Sequence, residues 1–258
     1  MKFFIHKKIE EIIVYNEQLP EIIGNLVDGI EIVITEPFFF QTQSFYSEKI
    51  KKISDFCMNR DVSVHLPFYD LNLGSIDRNI SEYSLRSMVQ GIDIASSLGA
   101  KIAVAHLGYN VLSSKSSTAK WFERFAAMKC ELEKYATDKG VTVVWENTYE
   151  KDMSLFDEMI KVHPDTKLCL DIGHCNCFAE FSAIEFLERY KERVIHIHLH
   201  DNDGIEDLHL APGKGNIDFT PIMEKIGAYP VRNAVFELDF DKFTDSVDYI
   251  SEIFLKRK

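Results

Sequence analysis

Eight short apolar runs, amphipathic stretches between them and the absence of any linker-like segment predict an α/β fold, a (β/α)8 TIM barrel in a single domain over residues 1–258. The runs cover residues 3–6, 29–35, 62–67, 101–106, 141–146, 167–171, 194–200 and 234–238. They are rich in Val, Ile and Phe, and several are almost continuously apolar, as strands buried on both faces are. Between them, Leu85, Met88, Ile92 and Ile94 recur at helical spacing in residues 80–98, and Phe122, Phe125, Met128 and Leu132 do so in residues 121–135. Helices are also expected over residues 47–58, 153–162, 183–190, 220–226 and 245–255. Gly99 and Gly140 stand just past two of these stretches, where a left-handed cap residue belongs. The rival architecture is an open doubly wound sheet. No G-x-G-x-x-G follows the first run, which disfavours the dinucleotide-binding form of that sheet.

With 258 residues and 46% hydrophobic content the chain can build one sizeable core. Its 27% of charged residues is ordinary for a globular protein and argues against disorder. The net charge of −12 repels phosphate backbones, so nucleic acid is not the expected partner. No run of 18 apolar residues occurs, so no membrane span is predicted. The first residues, MKFFIHKKIEE, lack the apolar core and cleavage site of a signal peptide. Cys57, Cys130, Cys169, Cys175 and Cys177 are odd in number and are expected to be reduced thiols, which points to the cytoplasm.

Run after run ends in a side chain that can bind metal. His65 ends V-S-V-H, His106 ends I-A-V-A-H and Glu146 ends V-T-V-V-W-E. Asp171 and His174 sit in C-L-D-I-G-H, His198 in H-I-H-L-H-D, Asp207 and His209 in E-D-L-H, and Glu237 ends A-V-F-E. Ionisable groups at apolar strand ends are costly unless each has a partner, and a shared divalent cation supplies one. In a parallel barrel all strand C-termini open on one face, so these residues converge without being neighbours in sequence. Mixed imidazole and carboxylate donors suit Zn²⁺, Mn²⁺, Co²⁺ or Fe²⁺ better than Ca²⁺.

Blander roles compete at several positions. A lone histidine at a strand end is more often a hydrogen-bonded structural group than a ligand. His196 and His200 flank His198 on the same face, and His196 reads as a packed interior residue. Cys175 and Cys177 are expected in a loop as small hydrophobes rather than ligands. Phe38, Phe39 and Phe40 suit a pocket wall or packing under a loop equally well. His163 is expected at the surface, and Glu131 and Glu133 on a solvated helix face.

The ordered set VHLPFYDLNLGS, AHLG, WENT, LDIGH, HLHDNDGIEDLHLAPGKGNIDF and FELD resembles the xylose isomerase-like TIM barrels. These include sugar isomerases, ketose epimerases, inosose dehydratases and endonuclease IV. The resemblance implies a divalent ion (Mn²⁺, Zn²⁺ or Co²⁺) held by Glu146, Asp171, His198 and Glu237. Its endonuclease IV branch extends this to as many as three ions. His65, His106 and Glu146 would hold a second, and His174, Asp207 and His209 a third. A mononuclear site would instead leave His65 and His106 to bind hydroxyls or support the ligands.

The implied activity is a metal-dependent isomerase or epimerase acting on a sugar, sugar phosphate or polyol through an enediolate. Glu146 and Glu237 would exchange the proton. His174 and His200 are candidate partners for substrate hydroxyls, and Lys214, in P-G-K-G, for a phosphate or hydroxyl. The alternatives are a phosphoesterase akin to endonuclease IV and a non-catalytic sugar- or metal-binding barrel. Related barrels often associate, which leaves a homo-oligomer open.

Overall fold

A computed structural model describes residues 1–9, 11–12, 27–34, 43–57, 60–239, 242–243, 249 and 252. Eight strands close into a barrel in sequence order. They are β1 (Lys2–Lys8), β2 (Gly29–Val33), β3 (Asp61–His65), β4 (Ile102–His106), β5 (Thr142–Glu146), β6 (Lys167–Asp171), β7 (Val194–Leu199) and β8 (Asn233–Phe236). Every pairing is parallel, and β8 closes the ring on β1 with Lys2 opposite Asn233. The described helices are α1 (Gln43–Cys57), α2 (Arg78–Ser97), α3 (Lys115–Asp138), α4 (Ser154–Val162), α5 (Ile172–Phe178), α6 (Ala183–Tyr190) and α7 (Phe219–Ile226). None of them is long and apolar enough to cross a membrane.

Local chemistry explains where the helices begin and end. Asp77 caps α2 by accepting the Asn79 N–H, and Ser114 caps α3 by accepting the Ser117 N–H. Both helices therefore start earlier than their apolar periodicity suggests, and α3 opens with the polar residues K-S-S-T. Ser182 and Glu185 form a reciprocal capping box at the start of α6. Gly99 and Gly140 take φ of 74° just past α2 and α3, as expected of a left-handed cap. The next amides, of Ala100 and Val141, reach back to the Ala95 and Ala136 carbonyls.

One helix was not expected. Asp171 accepts the N–H of His174 and starts α5 directly from the end of β6, so Cys175 and Cys177 lie on a helix and not in a loop. Thr35, Met58 and the Phe38, Phe39, Phe40 run lie outside the described residues. So does the helix expected over 245–255, apart from Tyr249 and Glu252.

The two-residue period of the strands sorts the core into two populations. Outward-facing Ala103, Ala105, Val143, Trp145, Leu170, Ile197 and Phe236 join the large cluster beneath the helices. Ile102, Val104, Val144, Cys169 and Ile195 form a separate small cluster. The β6–β7 register shifts between Leu168 and Cys169, so that Leu168 faces Val194 and Cys169 faces His196. One strand step beyond this cluster, the same inward positions become His106 on β4, Glu146 on β5 and Asp171 on β6. Apolar filling thus gives way to polar side chains as the strands reach the mouth.

One outer-layer detail corrects the solvated reading of Glu133. Lys129 is fully buried, and its ammonium donates to both Glu133 oxygens at 2.7 Å and to Thr166 Oγ1 at 2.8 Å. Trp145 Nε1 also donates to Glu133, at 2.8 Å. Glu131 is exposed. His163 is half-buried rather than on the surface, and its Nε2–H reaches the Ala126 carbonyl.

Candidate metal centre

The strand ends bring the expected polar residues together. His198 Nδ1 lies 2.8 Å from Glu146 Oε1, 3.3 Å from Glu237 Oε1 and 3.7 Å from Asp171 Oδ2. The four donor atoms of Glu146, Asp171, His198 and Glu237 all lie within 4.8 Å of one another, and all four residues are buried. Beside them, His65 Nε2 and His106 Nε2 approach Glu146 Oε2 at 3.2 and 2.9 Å, and lie only 3.1 Å from each other. On the other flank His174, His200, Asp207 and His209 form a further set with the same 4.8 Å limit.

The tautomers suit metal ligation. His65 donates Nδ1–H to the Leu66 carbonyl, His174 to the Asn147 carbonyl and His209 to the Glu237 carbonyl. Carbonyls only accept, so in the neutral ring each Nε2 is left with a bare lone pair. Each of these Nε2 atoms faces a carboxylate: Glu146 for His65, and Asp207 for His174 and His209. Fixing the ring through the remote nitrogen is how proteins hold histidine ligands. His209 also adopts φ of 44°, rare for a non-glycine residue, and its ring stacks on His200 at 4.0 Å.

Electrostatics point the same way. Burial opposes charge on Glu146, but the His198 and His106 imidazoles outweigh it and hold the carboxyl well below its usual range. Burial likewise opposes ionisation of Glu237, yet His198 and His6 bring it down to about 2. Burial disfavours the imidazolium of His174, but Asp171 and Asp207 raise it well above the usual histidine range. The packed carboxylates are thus matched in part by protons on neighbouring imidazoles, with His174 and His198 raised while burial lowers His106. A divalent cation would replace those protons, and the donor set of oxygens and imidazole nitrogens fits one.

Two of the residues expected to bind substrate sit elsewhere. His200 is fully buried behind Asp171, with Nε2 at 3.0 and 3.1 Å from its two oxygens, and it does not line the cavity. Its ring nitrogen meets a candidate ligand, Asp171. Lys214 is exposed and also absent from the cavity wall. Its P-G-K-G loop wraps a carboxylate of the chain's own. Buried Asp201 accepts the N–H groups of Gly213 and Gly215 at 3.0 and 2.8 Å, and those of Asn202 and Ile217 at 2.9 and 3.1 Å. Those amides are already occupied and cannot cradle a phosphate.

Three residues near the centre were not singled out in advance. His6 ends the first apolar run, as the other candidates end theirs, and its Nδ1 lies 2.8 Å from Glu237 Oε1. Glu31 sits mid-strand in G-I-E-I-V and is fully buried against His196 and His198. Cys169 shares a donor set with His196 and His198, whereas neither Cys175 nor Cys177 joins any such set among the described residues.

Above the donor sets a cavity of about 720 Å³ opens to solvent, within the size range of small-molecule sites. His65, His106, Glu146, His174, Asp207, His209 and Glu237 line its floor. Phe68, Tyr69, Tyr109 and Tyr149 supply aromatic walls. Its cations are Lys7 and Lys8, against Glu11, Asp70 and Asp239 in addition to the floor carboxylates, and no described arginine lines it.

Comparison with known proteins agrees with the fold. A protein of Methanocaldococcus jannaschii of uncharacterised function is 29% identical over 182 residues, 64% of this chain and 60% of that one. Fructoselysine 3-epimerase of Shigella flexneri is 25% identical over 172 residues, 61% of this chain and 58% of its own length. The chain thus spans about three-fifths of the length of these curated relatives. A crystal structure described as a D-tagatose 3-epimerase-like protein superposes with a TM-score of 0.80 at 24% identity, covering 100% of this chain and 99% of that one. A Thermus thermophilus protein soaked with ZnCl2 superposes with a TM-score of 0.82 at 21% identity, covering 99% of each chain. The family model for the xylose isomerase-like TIM barrel matches residues 24–249. This chain belongs to the xylose isomerase-like TIM barrel family.

Proposed function

We propose that the protein is a divalent-metal-dependent isomerase or epimerase of a sugar or polyol that bears a carbonyl. The observation that carries this reading is the convergence of Glu146 and Glu237, which line the cavity and come from strands three apart, on one nitrogen of the fully buried His198 beneath it. Glu146, Asp171, His198 and Glu237 would hold the ion, which when bound supplies Lewis-acid polarisation of the substrate carbonyl. The aromatic walls offer apolar faces to a sugar ring, and the polar floor offers donors and acceptors to its hydroxyls. One of the two glutamates takes a proton from the carbon beside the carbonyl. The other returns a proton to the opposite face, or to the neighbouring carbon. His6, bonded to Glu237 Oε1, holds that carboxylate in place. A fructoselysine 3-epimerase among the relatives and a 3-epimerase-like protein among the structural neighbours support the reaction class.

A second reading, hydrolysis of a phosphodiester, is favoured by one observation. The donor sets adjoin, with Glu146 shared between two of them, and could take up more than one ion. The acidic cavity rim, without arginine among its described residues, favours the neutral sugar over a polyanion.

The experiment incubates the Mn²⁺- or Co²⁺-loaded protein with ketoses, aldoses and their phosphates in D2O and follows deuterium incorporation by NMR. Exchange at the carbon beside the carbonyl, abolished in Glu237→Gln with the fold intact, supports the isomerase. Full exchange activity in Glu237→Gln overturns its proton-transfer role. Absence of exchange, with turnover of bis(p-nitrophenyl) phosphate and three ions per chain, selects the hydrolase.

A further inference from the structure

Beneath the four-ligand set lies another carboxylate. Glu31 points inward from the middle of β2, is fully buried and does not line the cavity. Its Oε2 accepts from Ser63 Oγ at 2.8 Å and from His196 Nε2 at 2.9 Å. Its Oε1 stands 3.0 Å from His198 Nε2. Neither of these two atoms makes an aligned hydrogen bond, and both are shut off from water. Buried polar atoms left unmatched are costly and call for an explanation.

The two nitrogens of His198 supply one. Nδ1 faces the carboxylates of Glu146, Glu237 and Asp171. To bind an ion, Nδ1 must be bare, so the ring proton must reside on Nε2. Glu31 Oε1 is the acceptor at hydrogen-bond distance from that nitrogen. Ser63 and His196 meanwhile anchor the other oxygen, so the acceptor cannot drift.

We propose that Glu31 is a positioning residue of the metal centre, accepting the Nε2–H of His198 and so fixing which nitrogen of that ring meets the ion. The proposal rests on the reading of Glu146, Asp171, His198 and Glu237 as a divalent-ion site. Glu31 has one other role open to it, as a ligand beside His6 and Glu237, whose donor atoms also lie within 4.8 Å of its own.

The test titrates the metal-free full chain with Co²⁺. Visible d–d absorption reports the coordination, and competition with a chelator reports the affinity. Asp171→Asn is expected to abolish the tightest Co²⁺ site. Glu31→Gln should bind Co²⁺ at that site about ten- to hundredfold more weakly, with a shifted spectrum. Glu31→Asp, which restores a charged acceptor, should recover part of the affinity. Wild-type affinity and spectrum in Glu31→Gln overturn the proposal and leave the metal site standing. Loss of a whole equivalent of Co²⁺ in Glu31→Gln, with the tightest site unchanged, makes Glu31 a ligand and also overturns it. If the wild-type chain binds no Co²⁺, or Asp171→Asn binds it as tightly, the metal reading falls and this proposal falls with it. Should Glu31→Gln fail to fold, Ser63→Ala is read in its place. Weaker Co²⁺ binding there supports the proposal, and unchanged binding overturns it.

Discussion

Gly173 and His200 are packed so closely that a Cβ on Gly173 would fall 2.0 Å from His200 Cε1 and 2.4 Å from its Nδ1. Glycine is required here by contact, because the His200 ring fills the space over the first turn of α5. The same ring holds both oxygens of Asp171.

Gly173→Ala should therefore act on the candidate metal centre without touching it. Displacing the ring overpacks a filled site, which costs about 1–3 kcal/mol of stability. It also frees Asp171, and loss of a contact that supports a metal ligand typically weakens metal binding about 10- to 100-fold. Thermal unfolding and Co²⁺ affinity measured on the same sample check both effects. A variant with wild-type stability and affinity would show that His200 does not brace Asp171.

The P-G-K-G loop yields a contrasting pair. Asp201→Asn replaces an acceptor of four backbone N–H groups with a side chain that turns a donor toward some of them. Hydrogen bonds to a charged group contribute roughly 1.5–3 kcal/mol each, so a destabilisation of at least about 2 kcal/mol is expected in denaturant unfolding. Lys214→Ala, on the exposed crest of that loop, should leave KM for sugars and sugar phosphates unchanged. A large rise in KM for phosphorylated substrates alone would restore the phosphate role that its sequence context suggests.

These cases mark where the sequence is legible. The convergence of the strand-end polar residues could be read because a parallel barrel sends every strand C-terminus to one mouth, so position along each run predicts where its last side chain lies. The same rule reaches His6 at the end of F-F-I-H. A charged residue inside an apolar run, as in G-I-E-I-V, is the signal for Glu31, since buried glutamates are almost always paired. His200 and Lys214 could not be read this way. Whether either meets substrate depends on how a loop or a bulged strand turns, and Asp201 draws the glycine amides inward by contacts remote in sequence. The polar start of α3 was hidden for another reason: Ser114 fixes it by a cap, not by apolar spacing.

The buried Lys129–Glu133 pair makes an asymmetric prediction. Burial lowers the Lys129 pKa, and Glu133 is the carboxylate that counters it. Glu133→Ala strands an ammonium in the core and leaves Trp145 Nε1 without its acceptor, so a loss of about 3–5 kcal/mol is expected. Lys129→Met removes the charge and keeps the volume, and should be far milder, within about 1–2 kcal/mol of wild type. Equal losses in the two variants, measured by denaturant unfolding, would place the energy in packing and not in the charge.

Metal-free and metal-loaded protein should respond to pH in opposite senses. Burial opposes a charge on His209, but Asp207 outweighs it and raises the imidazole from 6.5 to about 9. A raised histidine stabilises the fold fully below its unfolded pKa, and that stabilisation is lost as pH rises through the folded value. Glu237, brought from 4.5 to about 2, contributes in the other direction, fully above 4.5 and less as pH falls toward 2. In the presence of a chelator, the melting temperature should thus be highest between about pH 4.5 and 6.5 and decline toward pH 9. His174 and His198, also raised, extend the alkaline decline, so His209→Gln should reduce its slope without removing it. A bound divalent ion requires deprotonated imidazoles, so Co²⁺ or Zn²⁺ should reverse the trend and raise the melting temperature as pH climbs from 6.5 to 9. Parallel pH profiles for the two forms would mean that protons and metal do not compete for these histidines. The imidazole–carboxylate clusters would then be structural ion pairs and not a metal centre.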